Sequence, residues 1–194
     1  MLKPTFVKRI NPDCKQLAQS GLPYYTYLNP FPSYNYEKNS YGNCTWYAYG
    51  RFMELWDTAS PKQKSIHTWK PWLQFKDAYK FIEIATLSGY KTGIIPKLGA
   101  IGCWAFYADP EGMPGHVAIV EDIMHDNQGN ILNIEISHSG WTLGNLPNKL
   151  IYPGSSQIGT GGWQLEYAHS YFLGFIYHPI EFDLKRENNK YLDK

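Results

Sequence analysis

Three cysteines and six histidines supply the nucleophiles and bases of this 194-residue chain, and their surroundings sort them. Cys44 lies in "YGNCTWYAYGRF", between a Gly-Asn turn signal and an aromatic run with helical spacing. With Asn43 as N-cap, the thiol sits at the positive end of a helix. There, unpaired N–H groups and the macrodipole favour the thiolate. The same N–H groups can hold the oxyanion formed when a thiolate attacks a carbonyl. The competing use of a small apolar thiol at this place is packing.

A thiolate that acts on an amide needs a proton acceptor. His125 falls in a turn signal, His67 in a polar connection, His169 by another turn and His178 before a proline. His116 and His138 differ, because both stand at the ends of strand-like runs beside Gly or Ser. Strand alternation puts His116, Ala118 and Val120 on one face, and Leu132, Ile134, Ile136 and His138 on one face. Both apolar sets are expected to cover the core, against the helix that begins at Cys44. Cys44 is then the nucleophile, His116 the general acid and base, and His138 the group that orients His116. Glu135 is the rival orienter and needs a bulge to reach. Two histidines and Cys44 are also three metal ligands, but no HExxH, CxxC or carboxylate cluster completes a zinc site.

The elements that must position these groups read as helices first and strands afterwards. A helix is expected over 45–57, with Trp46, Tyr49, Phe52, Met53 and Trp56 as its stripe and Pro61 as the stop. A second is expected over 71–88, with Phe75, Ala78, Tyr79, Ile82 and Ala85 apolar and Gly89 at its end. Strands are expected over 101–107, 116–123 and 131–138, the last two joined by the hairpin signal "MHDNQGN", then in "WQLEYA" and "YFLGFIYHP". This order predicts an α+β domain in which N-terminal helices pack on an antiparallel sheet. Residues 1–29 read as an irregular arm, 30–180 as the domain and 181–194 as a charged tail or linker.

Composition narrows the partners. Hydrophobic residues at 43% and charged residues at 18% describe a globular chain. A net charge of +1 argues against nucleic acid or an anionic membrane surface. No apolar run is long enough for a membrane span, and the start lacks the apolar segment of a secretion signal. The cysteines form neither a CxxC pair nor a disulfide framework. Cys103 reads as a core thiol, Cys14 has no assignment, and nothing in the pattern calls for more than a monomer.

"GNCTWYAYGRF", "PKLGAIGCWAF", "GHVAIVEDI", "ISHSGW" and "FLGFIYHP" follow one another in the order and spacing of CHAP domains, and the chain resembles that family over about residues 30–180. These are the cysteine, histidine-dependent amidohydrolase/peptidase modules of bacterial and phage cell-wall lytic enzymes. The resemblance implies a papain-like (NlpC-type) fold and an endolysin-like hydrolase of peptidoglycan. The bond cut is either N-acetylmuramoyl–L-alanine or one within the wall peptides. It also implies Cys44 as nucleophile and His116 as base, without a cofactor.

The family often carries Glu where this chain has His138. That substitution removes a fixed negative charge from the orienting position. Some members bind calcium just before the nucleophile, but here only Glu37 is acidic, so no metal is expected. Trp141 reads as a groove-wall, substrate-binding residue, and Trp46 as either packing or a substrate contact. A missing signal suits a protein held in the host cytoplasm before release to the wall, or one carried on the virion. The alternatives are a non-catalytic wall-binding module and a thioester-based acyl transferase on the same fold.

Overall fold

The computed structural model describes residues 3–9, 14–35, 40–65, 77–105, 115–139, 149–151 and 171–184. In chain order the described elements begin with β1 (Thr5–Phe6), α1 (Cys14–Gln19), β2 (Tyr34–Asn35) and β3 (Ser40–Tyr41). Then follow α2 (Cys44–Asp57), α3 (Pro61–Ser65), α4 (Phe81–Leu87) and β4 (Thr92–Gly93). The strand-rich half comprises β5 (Ile101–Ala105), β6 (His116–His125), β7 (Ile131–Ser137), β8 (Lys149–Ile151), β9 (Tyr171–Ile176) and β10 (Asp183–Leu184). Short 3-10 turns cover Pro23–Tyr25 and Ala78–Lys80.

A six-stranded antiparallel sheet runs in the order β4-β9-β5-β6-β7-β8. The expected α+β class is what the chain adopts. α2 is the expected helix, capped by the Asn43 side chain, which accepts from the Trp46 N–H at 2.8 Å. It is buried around nearly its whole circumference, from Thr45 to Met53 and again at Leu55. Such a helix belongs inside a fold rather than on its surface. The β6–β7 hairpin also forms as expected, with Asp126 accepting from the N–H groups of Gln128 and Asn130 in its turn.

The sheet buries both faces. Ile101, Cys103, Val117, Ile119 and Ile176 pack with Trp46, Tyr47, Phe52 and Leu55 around α2. Ala100, Trp104, Ala118, Val120, Ile134, Ile136 and Phe175 form a second cluster. Alternation along β6 separates the two sets. This corrects the expected facing: α2 lies on the Val117–Ile119 face, not on the face of His116, Ala118 and Val120. "HVAIV" is apolar at every position after its histidine, so its period cannot say which side meets the helix.

Other expectations change locally. α2 ends at Asp57, ahead of Pro61 as expected, but Pro61 also opens α3. Ser60 and Gln63 form a reciprocal cap there, the Ser60 N–H donating to Gln63 Oε1 at 2.8 Å and the Gln63 N–H to Ser60 Oγ at 3.3 Å. The helix expected over 71–88 is broken at Asp77, which is extended at φ −60° and ψ 156°. The turn after it passes close to Gly115, where a Cβ would come within 2.9 Å of the Tyr79 nitrogen. Packing of that turn on the sheet outweighs the helical pattern. Residues 71–76 and "WQLEYA" lie outside the described residues, as do 106 and 107 at the end of the first expected strand.

The two segments expected as arm and tail meet. β1 pairs in parallel with β10, Thr5 opposite Asp183 and Phe6 opposite Leu184. Phe6 and Phe182 stack edge-on at 5.4 Å within the α2-side core. Among the described residues no helix is long and apolar enough to cross a membrane.

Candidate active site

Cys44 is the first residue of α2 and keeps part of its surface open. It is placed there by Gly42 and Asn43. Gly42 has φ +62°, and a Cβ at that position would meet the Trp46 ring at 2.3 Å. Only glycine makes this entry into the helix without strain or collision. Asn43 then engages Trp46, while its cap leaves the N–H groups of Cys44 and Thr45 at the positive helix end to other partners.

His116 opens β6 and is almost fully buried, with Trp104 as its ladder partner and the two rings 6.4 Å apart. The preceding Gly115 has φ +67°, and a Cβ there would press on the Trp104 carbonyl oxygen at 2.5 Å. Each candidate reacting residue therefore follows a glycine-dependent turn.

His138 follows β7 directly. The register pairs Ile119 with Ser137, so continuing it sets His138 across from Ala118, one same-face position from His116. The two imidazoles meet edge to face, centroids 5.1 Å apart and planes at 82°. The structure thus brings together the two histidines singled out by the sequence. Burial, and then the charge of His138, holds His116 well below the ordinary histidine range. Burial lowers His138 to about 4. Both rings are therefore neutral near pH 7, and the His138 Nδ1 is buried with no hydrogen-bond partner among the described residues.

Cys44 approaches the same end of the sheet from the α2 side. It packs on the α2-side core and lies near enough to Cys103 to act on it electrostatically. Cys103 is the ladder partner of Val117, one rung from the Trp104–His116 pair. Burial first, and Cys44 second, push the Cys103 thiol far above its usual range, as expected of a core thiol.

Glu135 is elsewhere. A register shift does occur, between Val120 and Asp122, but it lies in β6 and leaves Glu135 paired with Asp122. Lys8 binds the Glu135 carboxylate at 2.8 Å and that of Asp122 at 3.4 Å. Asp122 is six residues from His116, about 20 Å along a strand. Glu135 is therefore not an orienter of His116.

Trp46 is fully buried, its indole N–H donating to the Tyr25 carbonyl at 3.3 Å, so it packs the core and does not contact substrate. Trp141, Glu37, His67 and His169 lie outside the described residues. Cys14, without a sequence assignment, stands beside the site, its Sγ donating to Ser139 Oγ at 2.9 Å. Its only sequence signal was its residue type. Among the described residues no three His, Cys, Asp or Glu side chains are grouped to hold a metal ion.

Residues 34–140 match the family model described as CHAP domain. No curated protein matches significantly. Among solved structures, the chain is similar to an N-acetylmuramoyl-L-alanine amidase from Staphylococcus aureus, with 25% identity and a TM-score of 0.34. That alignment covers 68% of this chain and 33% of the amidase chain, so this protein spans about a third of its length.

Proposed function

The chain belongs to the CHAP domain family, and from that premise we propose that it hydrolyses an amide bond of peptidoglycan through a Cys44 thioester. The observation that carries the reading is local. Cys44 starts α2 and acts electrostatically on Cys103, one rung from the Trp104–His116 pair, and His116 meets His138 edge to face at that end of the ladder. In the proposed sequence, the Cys44 thiolate attacks the amide carbonyl, and N–H groups at the start of α2 hold the oxyanion. His116 carries the thiol proton to the leaving amine, which departs as the thioester forms. It then takes a proton from water, which attacks the thioester and returns the thiol. His138 holds the His116 ring in place.

The substrate bond is either N-acetylmuramoyl–L-alanine or a peptide bond of the stem or cross-bridge, in an endolysin-like, bacteriolytic role. The test is digestion of purified sacculi, read by turbidity and by mass spectrometry of released fragments. Cys44→Ala and His116→Ala should each lower turnover on the order of a thousandfold or more while sacculus binding survives. Fragments with new amino termini identify a peptidase; freed lactyl carboxyls on muramic acid identify an amidase. Equal lysis by the wild type and Cys44→Ala overturns the reading. Wild-type binding without any new termini or freed carboxyls would identify a wall-binding module, and an amine adduct would identify a transferase.

A further inference from the structure

Glu121 is fully buried, charged and outside the reacting groups, so its position requires a physical reason. The register shift in β6 makes it the extra residue between the Val120–Ile136 and Asp122–Glu135 rungs. Four donors meet its carboxylate. Arg51 Nε reaches Oε1 at 3.0 Å and Arg51 Nη2 reaches Oε2 at 3.0 Å. The Arg9 backbone N–H donates to Oε2 at 2.7 Å, and the Ser137 hydroxyl to Oε1 at 2.6 Å. The Ser137 oxygen in turn accepts from the Tyr47 hydroxyl at 2.8 Å.

Ser137 is the last residue of β7, and the next residue is His138. A ring carried on the first residue beyond a strand has no ladder of its own to fix its direction. Here the residue before it is fastened by its side chain on the α2 side, to β6 and to α2 at once. Alternation then sends His138 to the opposite side, where His116 stands. An apolar pair between α2 and β6 would avoid the desolvation cost of a buried Arg51–Glu121 ion pair, so stability alone does not account for the carboxylate.

We infer that Glu121 is a positioning residue for the histidine pair, acting through the Ser137 hydroxyl to pin the backbone from which His138 departs. The inference deepens the functional reading above and rests on it for its catalytic consequence. It requires no new contact between Glu121 and substrate.

The test compares wild type with Ser137→Ala, Ser137→Thr and Glu121→Gln. Each is measured for kcat and KM on sacculi, for thermal melting, and for imidazole NMR signals across pH. Ser137→Ala is the primary variant, because Glu121→Gln removes the nearer of the two carboxylates paired with buried Arg51. Ser137→Ala should lower kcat on the order of tenfold to a hundredfold with KM little changed. It should also shift the His138 ring signals and their titration, and Ser137→Thr should restore both. A lower melting temperature with unchanged kcat and unchanged ring signals, measured well below melting, would reduce Glu121 to a structural role and overturn the inference. The NMR arm does not depend on turnover. If the wild type fails to cut sacculi, the functional reading falls, while unmoved ring signals in Ser137→Ala remain the result that sinks this one.

Discussion

His138 stands where a carboxylate would place a permanent negative charge beside His116, and burial keeps its ring uncharged. Replacing it with glutamate reverses that sign. In His138→Glu the new charge should favour protonated His116, so the acid limb of kcat/KM against pH should move to higher pH than in the wild type. A limb that moves down or stays still would mean that position 138 does not sense position 116. The thiols offer a second residue-scale contrast. Cys44 is partly open, whereas Cys103 is fully buried with its thiol stabilised against ionisation. Iodoacetamide should therefore modify Cys44 first and abolish lysis, as peptide mass mapping would show. Glu135→Ala should leave kcat within about twofold, because Lys8 holds that carboxylate away from the site, and His138→Ala should lower it far more. The candidate residues Cys44, His116 and His138 could be singled out in the sequence because their chemistry is rare and their neighbours are turn formers. Trp46 was not, since an aromatic beside a nucleophile carries no sign of which way it points. Glu121 was not legible either, because an acid near the end of an apolar run reads as solvent-facing.

At the scale of elements, the strongest signals were the period of α2 and the turn between β6 and β7, and both were readable. The sidedness of β6 was hidden by its own composition. A strand buried on two faces lacks the polar alternation that would label one of them. Short elements were hidden for another reason, since β1, β4 and β10 are two residues long and have no period to detect. Pro61 shows how one residue supports opposite readings, because the same fixed φ ends one helix and starts the next. The α2 cap allows a direct measurement. Asn43→Ala should cost about 1 kcal/mol in urea unfolding, with Asn43→Asp close to wild type. A cost near zero for Asn43→Ala would show that the entry to α2 is held by the glycine turn alone.

For the whole molecule, the His116–His138 pair ties stability to acidity. Unfolded histidine titrates near 6.5, whereas folded His138 titrates near 4 and His116 is also strongly depressed. Between those values the unfolded chain binds more protons than the folded one, so stability must fall as pH falls. The full contribution should be present above about pH 6.5 and be lost progressively toward pH 4. Urea midpoints at pH 7.5 and pH 5 test this, and a higher midpoint at pH 5 would contradict it. The joined segments 3–9 and 181–184 predict a second global effect. Phe6→Ala should destabilise by about 3–5 kcal/mol, as for any large core ring, despite lying six residues into the chain.

The clasp between β1 and β10 has a topological consequence. Where the described ends of a chain lie side by side, covalent order and spatial order can be separated. A circular permutant that joins the clasp through a short linker and opens in the exposed turn at residues 126–130 would keep every rung of the sheet. The new ends would emerge from the hairpin's tip, at the opposite end from both imidazoles.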